Sequence, residues 1–139
     1  MTQSRKLKVI TLTLSGVQYQ MQLSHWVMKN NTANGTKYYV FSGPADDFIE
    51  DGEPDYELEL KFFADWRTNG ISDYLTQNDL QPVGFQLDHY AAYPDMVNEH
   101  ARWAGNLKIK APDAGGDVRT TELTDITLPV IGKPAYTRP

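Results

Sequence analysis

The sequence predicts a mainly β domain, either a β-sandwich or a barrel-like sheet, with one short flanking α-helix. Apolar and polar residues alternate along most of the chain, which is the period of a strand with one buried face. Turn-forming Gly, Pro, Asn and Asp residues separate the alternating segments. Only the segment 71–78 has the apolar spacing of a helix. With 139 residues the chain has the size of one domain, so we expect a single unit over residues 1–139.

The composition excludes several kinds of site. The chain has no cysteine, which excludes disulfides, thiol nucleophiles and Cys-ligated zinc or iron–sulfur centres. Its 13 basic and 18 acidic residues give a net charge of −5, which disfavours an overall grip on DNA phosphates. No motif indicates a cofactor, and we expect none.

The first 28 residues predict a long β-hairpin. Residues 10–14 and 17–23 alternate in hydropathy, and Ser15-Gly16 between them is typical of a two-residue hairpin turn. The polar face of the second strand carries Gln18, Gln20 and Gln22.

These glutamine amides argue against a membrane span in the uncharged stretch 9–28, because lipid would leave them without hydrogen-bond partners. We expect residues 1–6 to form a short N-terminal arm. The apolar run after it, 9–14, is too short and too rich in threonine for a signal peptide. We therefore expect a soluble protein that is made and kept in the cytoplasm.

Two long polar loops are predicted at 29–37 and 43–55. The first contains an Asn-Gly turn, and its candidate contact residues are Lys29, Asn30, Asn31, Asn34, Gly35 and Lys37. The second is acidic and has no basic residue, and its candidates for charge contacts are Asp46, Asp47, Glu50 and Asp51. Loops of this length in so small a domain indicate segments that neighbouring molecules complete.

The clearest strand spans residues 56–62. Its polar face carries Glu57, Glu59 and Lys61. The helix at 71–78 follows, with Ser72 as the candidate N-cap. Two helical turns are marginal alone, so we expect the helix to pack on the sheet through Ile71, Tyr74 and Leu75.

Three further strands complete the predicted sheet. Alternation at 83–87 and 102–110 predicts two of them, with a loop at 90–98 between. The third covers 117–130, where a change of phase indicates a β-bulge near Thr124-Asp125. Residues 131–139 contain Gly and Pro and predict a semi-extended C-terminal arm.

No catalytic constellation stands out. The three histidines, His25, His89 and His100, do not have the spacing of metal ligands. Glu57 and Glu59 would allow a small hydrolase, although such pairs are far more often the solvated side of a strand.

The tryptophans leave one binding function open. Trp26, Trp66 and Trp103 would allow a sugar platform, so a carbohydrate-binding β-sandwich is an alternative. Tryptophans near strand ends more often pack over the margin of a core or at an interface.

Ordered segments from residue 55 onward resemble the major tail tube proteins of long-tailed, siphovirus-type bacteriophages. The first two are DYELELKFFADW at 55–66 and GISDYL at 70–75. A C-terminal series follows between 103 and 134, with WAG, KIKAP, GGDVRTT, DITLPV and GKP in that order. The resemblance extends over roughly residues 38–134 and rests on the ordered combination of these segments.

This resemblance implies a tail-tube fold, a β-sandwich flanked by one helix, in a structural virion protein that is not an enzyme. Six subunits would form a ring, and stacked rings would form the hollow tail through which phage DNA reaches the host. The implied partners are identical copies, a tape-measure protein, a distal tail or baseplate initiator and a tail terminator. The implied location is the virion tail, assembled in the host cytoplasm. Contractile tails and type VI secretion systems have tubes of the same architecture, so a tube subunit of such an injection system stays open.

Within such a tube, the sequence predicts a wall and a set of contacts. A polar strand face suits an aqueous bore, and the candidates for it are Gln18, Gln20, Gln22, Glu57, Glu59 and Lys61. A neutral or acidic wall would let DNA pass without specific binding. We expect the loop 29–37 to become ordered on stacking. We also expect Arg5, Lys6 and Lys8 to meet the acidic residues of a neighbour, in an interface of more than ~2,000 Å².

Overall fold

One antiparallel sheet of seven strands forms the body of the protein, in a computed structural model that describes residues 9–89 and 99–139. In these two ranges, two more strands form a separate hairpin and there is one α-helix. The elements in chain order are β1 (Ile10–Leu14), β2 (Val17–Gln18), β3 (Leu23–Asn30), β4 (Thr36–Tyr38), β5 (Phe48–Glu50), β6 (Tyr56–Phe63), α1 (Ile71–Gln77), β7 (Pro82–His89), β8 (Ala101–Lys108) and β9 (Leu123–Thr137). The strand order in the large sheet is β2-β1-β7-β8-β9-β6-β3. The predicted fold class, mainly β with one short helix, is confirmed.

The large sheet curls around an apolar core. The ring of Trp26 in β3 lies 5.5 Å from that of His89 in β7 and 6.1 Å from that of Trp103 in β8, measured between centroids. Because β3 and β7 are not neighbours in the sheet, only a curled sheet allows this contact. The largest fully buried side chains are Leu12, Leu14, Leu58, Leu60, Phe62, Ile71, Leu75, Leu87, Leu107, Ile109 and Leu128. Burial of each such side chain contributes about 1.5–3 kcal/mol, so this face holds the fold together.

The N-terminal hairpin is shorter than predicted. Its turn is confirmed, because Ser15 and Gly16 both have positive φ, 52° and 86°, as a type I′ turn requires. The second strand ends at Gln18, however, and residues 20–22 form a 3₁₀ helix. The reason is Tyr19, whose side chain turns into the core and lies 5.5 Å from the ring of Tyr74. The chain then leaves this edge, and β3 pairs with β6 at the opposite edge of the sheet.

The predicted loops at 29–37 and 43–55 are partly strands. Lys29 and Asn30 belong to β3, where they pair with Glu57 and Tyr56 of β6. Beyond them, β4 and β5 form the separate antiparallel hairpin. The two loops are therefore the two sides of one folded excursion between β3 and β6. Sequence alternation missed it because these strands have three residues each.

The helix lies where it was predicted, with a different cap. Gly70 is the N-cap residue and Ser72 lies inside the first turn, so Ser72 is not the cap. The Ser72 hydroxyl instead accepts a hydrogen bond from the Asp65 N–H at 3.1 Å, which holds the chain that leads into the helix. Ile71 and Leu75 are fully buried in the core.

The last strand begins later and ends later than predicted. β9 runs from Leu123 to Thr137, so residues 131–137 belong to the sheet and are not a free C-terminal arm. The bulge predicted near Thr124-Asp125 lies further on, because the pairing with β8 shifts between Ala104 and Asn106, which leaves residues 132–134 of β9 without a regular partner. Gly132 has a φ of 73°, and this left-handed conformation lets the strand continue after the irregularity. The loop predicted at 90–98 lies outside the described residues.

Candidate subunit interface

The excursion between β3 and β6 is the most exposed apolar part of the described chain. We call residues 31–55 the arm. Its strands β4 and β5 pair with each other and do not join the large sheet. The exposed apolar side chains of the arm are Tyr38, Tyr39, Val40, Phe41, Phe48 and Ile49. Such a concentration in one segment indicates a surface that a partner covers.

Hydrogen bonds hold the base of the arm in a defined shape. The Asn31 N–H donates to the Asp55 carbonyl at 2.7 Å, and the Asp55 N–H donates to the Thr32 hydroxyl at 3.0 Å. Gly52 is required here, because a Cβ at this position would overlap the carbonyl oxygen of Ala33. The two sides of the arm are therefore tied together where they leave the sheet.

Side chains also shape the outer half of the arm. The rings of Tyr38 and Phe48 stack across the hairpin with their centroids 5.2 Å apart. The ammonium group of Lys37 lies 5.2 Å from the centre of the Tyr39 ring. At the tip, the Ser42 hydroxyl donates to the Asp46 carboxylate at 2.7 Å. These contacts give the arm a defined shape, which lowers the entropic cost of ordering it when a partner binds.

The arm carries the whole net charge of the chain. It has one basic residue, Lys37, and six acidic ones, Asp46, Asp47, Glu50, Asp51, Glu53 and Asp55, which sum to −5. The rest of the chain has 13 − 1 = 12 basic and 18 − 6 = 12 acidic residues, so its charge is zero. Asp46 and Asp47 also accept hydrogen bonds within the arm. The Asp46 carboxylate accepts from the Ser42 hydroxyl, and the Asp47 carboxylate accepts from the Val40 N–H at 3.1 Å.

The candidate contact residues of the first predicted loop are divided between the arm and the sheet. Asn34 and Gly35 lie in the arm, where a Cβ on Gly35 would come within 2.5 Å of the Ile49 side chain. Lys29 lies on β3 with its ammonium group 3.6 Å from the Glu59 carboxylate. The basic residues predicted to meet the acidic zone, Arg5, Lys6 and Lys8, lie outside the described residues.

Three strand edges of the sheet have no described neighbour. β3 forms one border along its full length. At the other border, β2 pairs only with Thr13 and Leu14 and leaves the start of β1 open. The third edge belongs to β9, because β6 pairs with it only as far as Val130, and from Ile131 onward only β8 lies beside it. Open edges present unpaired N–H and C=O groups that another chain can bind.

The six residues predicted to face a bore fall into two groups. Gln18 lies in β2 and Gln20 in the 3₁₀ helix, where their side-chain amides are hydrogen-bonded to each other at 3.0 Å. Gln22 ends that helix, so Gln20 and Gln22 are not part of a strand face. The other group, Glu57, Glu59 and Lys61, lies on the solvent face of β6, at the opposite side of the sheet order.

The solvent face around β6 has paired charges. Lys61 is the cross-strand neighbour of Asp125 in β9, and Glu57 is that of Lys29 in β3. Glu59 lies 3.6 Å from both the His25 imidazole and the Lys29 ammonium group. This face has alternating charges and no basic stripe that would hold a polyanion.

One buried charge on the sheet was not found from the sequence. Asp88 in β7 is only 4% exposed, and its carboxylate is bound by Arg102, Gln86 and His100. The only sequence signal was an acidic residue at the end of an apolar strand. Two of its partners, His100 and Arg102, are 12 and 14 residues further on, so that signal did not identify them.

The structure does not bring together the residues that the hydrolase and sugar-binding alternatives require. Glu59 lies 3.6 Å from the Lys29 ammonium group and from the His25 imidazole, and among the described residues no three His, Asp or Glu side chains could hold a metal ion. Trp26 and Trp103 meet at the core, whereas Trp66 hydrogen-bonds Glu122 elsewhere, so the three rings do not share a platform. No described helix has both the length and the apolar character to cross a membrane.

No protein-family model matches the chain, and no curated protein matches it either. Among solved structures, a chain in the cryo-EM structure of the sheath/tube terminator of an extracellular contractile injection system, PVC, in the extended state has a TM-score of 0.63 at 11% identity. That match covers 98% of each chain. A chain of the PVC sheath–tube complex in the extended state has a TM-score of 0.59 at 11% identity, over 93% of this chain and 88% of the other. At this identity the likeness shows a shared fold.

Proposed function

We propose that the chain is a structural subunit of a tail-type tube, in which hexameric rings of identical copies stack around a hollow bore. The observation that carries this proposal is the arm, an ordered hairpin with exposed aromatic side chains and a charge of −5. A stable monomer rarely exposes so much apolar surface in one segment, whereas a neighbouring copy would bury it. The fold shared with chains of contractile injection assemblies supports the same proposal.

The open sheet edges support a ring. The two borders of the sheet are different strands, β3 on one side and the β1–β2 hairpin on the other. A contact between unlike borders is heterologous, and such a contact forms a ring when its rotation closes after a whole number of copies. The open edges, which would promote indiscriminate aggregation in a free subunit, are then completed by identical copies.

The polar face of β6 is our candidate for the wall of the bore. Lys29 lies beside Glu57 and Glu59, and Asp125 lies opposite Lys61, so these five charges sum to −1. DNA would slide along such a wall without specific binding, since few counterions would be released.

Two settings fit a tube subunit. The sequence resemblance favours the non-contractile tail of a siphovirus-type phage, with a tape-measure protein, a distal initiator and a terminator as partners. The solved structures favour a tube inside a contractile sheath. Electron microscopy of particles labelled with an antibody against this chain would separate the two, because only the second setting places the label inside a shortening sheath.

Assembly of the purified protein tests the proposal. We expect hollow rings or tubes with sixfold symmetry in negative-stain images of concentrated protein, alone or after addition of the initiator. The arm variant Phe41→Ser/Ile49→Ser should remain monomeric with an unchanged melting temperature. Val118→Ser is the matched control, because Val118 is 87% exposed and lies outside the arm. The proposal would be contradicted if the wild-type chain stayed monomeric at millimolar concentration, both with and without the initiator.

A further inference from the structure

We propose that the arm of one copy docks along the C-terminal edge of β9 in a neighbouring copy. We call this receiving surface the β9 edge and define it as residues 131–138. The inference rests on the proposed function, in which identical copies meet, and it names the surface that the arm binds. Opposite charge, an open strand edge and exposed apolar side chains all point to this pairing.

The two surfaces have opposite charges. The arm has a charge of −5, whereas the last fourteen residues, 126–139, contain no acidic residue, and Lys133 among them is exposed. The described body is otherwise mixed in sign. Opposite charges attract over roughly 8 Å at physiological ionic strength, so they would guide the arm to this surface.

The β9 edge offers backbone groups as well as charge. Beyond Val130, β9 is paired with β8 on one side and with no described strand on the other. In the arm, β4 and β5 form a two-stranded sheet, so each has one edge without a described partner. Strand addition between these edges would satisfy the backbone groups of both copies.

The apolar side chains are matched too. Ile131 and Tyr136 on the β9 edge are each 54% exposed. The ring of Tyr136 is positioned by Trp103, with their centroids 5.4 Å apart, so it is held in place before any partner arrives. On the arm, Phe48 and Ile49 are 55% and 62% exposed. Rigid, half-exposed aromatic groups of this kind are typical anchors of protein interfaces.

The pairing takes place between copies. Within one chain, the arm is a sheet of its own, and neither β4 nor β5 pairs with β9. The arm and the β9 edge are different surfaces, so the contact is heterologous and each copy both gives an arm and receives one. The same contact can therefore repeat through a whole assembly.

Cross-linking tests the contact directly, because the chain has no cysteine of its own. Copies with Ile49→Cys are mixed with copies carrying Ile131→Cys and oxidised under conditions where wild-type protein assembles. We expect disulfide-linked dimers in high yield. The matched control mixes Ile49→Cys with Val118→Cys, which places the second thiol on an exposed site outside the β9 edge. An equal yield in the control, or none with Ile131→Cys, would overturn the proposal.

Charge reversal provides the second test. Lys133→Glu should raise the protein concentration needed for half-maximal assembly about tenfold, because it places a carboxylate against the acidic arm. Glu50→Lys in the same chain should return that concentration to within about threefold of wild type. Lys110→Glu, on an exposed lysine outside the β9 edge, is the control and should have little effect. The proposal is overturned if Lys133→Glu and Lys110→Glu behave alike.

The N-terminal basic residues are the competing partner of the arm. Under our proposal, the triple change Arg5→Glu/Lys6→Glu/Lys8→Glu shifts the assembly concentration less than Lys133→Glu does. A larger effect of the triple change would overturn the assignment to the β9 edge. If the wild-type chain does not assemble at all, the proposed function itself fails. If it assembles but is indifferent to Lys133, only the docking site is wrong.

Discussion

Asp88 and Arg102 face each other across β7 and β8, and Nε of Arg102 lies 2.6 Å from Oδ1 of Asp88. The carboxylate also accepts from the Gln86 amide at 2.9 Å and lies 3.3 Å from Nε2 of His100. Burial is the largest single influence and raises the pKa of Asp88. The hydrogen bonds from Arg102, Gln86 and His100 together outweigh it, so the pKa lies below its usual value. This network ties the end of β7 to the start of β8.

Removal of Arg102 should destabilise the fold. Arg102→Ala leaves the carboxylate of Asp88, whose side chain is buried, without its closest cation. We expect a loss of about 2 kcal/mol in the free energy of unfolding, less than for a fully buried pair because the Arg102 side chain is 36% exposed. Urea denaturation at pH 7 measures it. Arg67→Ala, which removes a solvent-exposed partner of Asp65, should cost much less, and equal losses would contradict the assignment.

The stability should fall at acid pH through the same carboxylate. The pKa of Asp88 is lowered by folding, so its contribution is present above the unfolded pKa of about 3.9 and is lost as the pH falls through the folded pKa. Unfolding free energies between pH 7 and pH 2 should therefore decline more steeply for the wild type than for Asp88→Asn. Parallel curves for the two proteins would show that Asp88 does not carry this dependence.

The helix should depend on one leucine. Leu75→Ala removes a fully buried side chain from the contact between α1 and the core, which typically costs about 2–5 kcal/mol. Leu80→Ala makes the same chemical change at a site that is 63% exposed and should have little effect. Thermal denaturation of both variants at low concentration, where assembly does not contribute, compares them. Similar melting temperatures for the two would refute the packing role of α1.

The shape of the arm should matter for assembly and not for the core. Gly52→Ala forces a Cβ against the Ala33 carbonyl at the base of the arm, so we expect weaker assembly with a nearly unchanged melting temperature. Gly116→Ala is the matched control, because its new Cβ would meet only the Thr120 hydroxyl at 3.7 Å. Light scattering against protein concentration gives the readout. Normal assembly of Gly52→Ala would mean that the arm tolerates a different geometry.

Local patterns predicted the elements that bury one face of a long strand or helix. Alternation from Tyr56 to Phe62 located β6 to within one residue, and the helical spacing of Ile71 and Leu75 located α1. The same rule overextended the first hairpin, because Tyr19 continues the alternation while its side chain enters the core and the backbone leaves the sheet. The alternation of apolar and polar residues indicates which side chains of a strand are buried. It does not indicate which other strand that strand pairs with.

The candidate interface depended more on long-range structure. The sequence showed the acidic residues and the aromatic run as two features, and the hairpin pairing of Tyr38 with Phe48 joined them into one arm. The open edge of β9 had no sequence signal. It arises because β6 begins at Tyr56, opposite Val130, while β9 continues to Thr137.

Local sequence patterns were enough to establish the mainly β class, the short helix that begins at Ile71, the turn at Ser15-Gly16 and the absence of cysteine chemistry. These properties depend on residues close together in the chain, where side-chain period and backbone preference act directly. The strand order, the network around Asp88 and the open strand edges became visible only in the folded protein. Those features require residues far apart in the chain to meet, and their pairing depends on how the whole core packs.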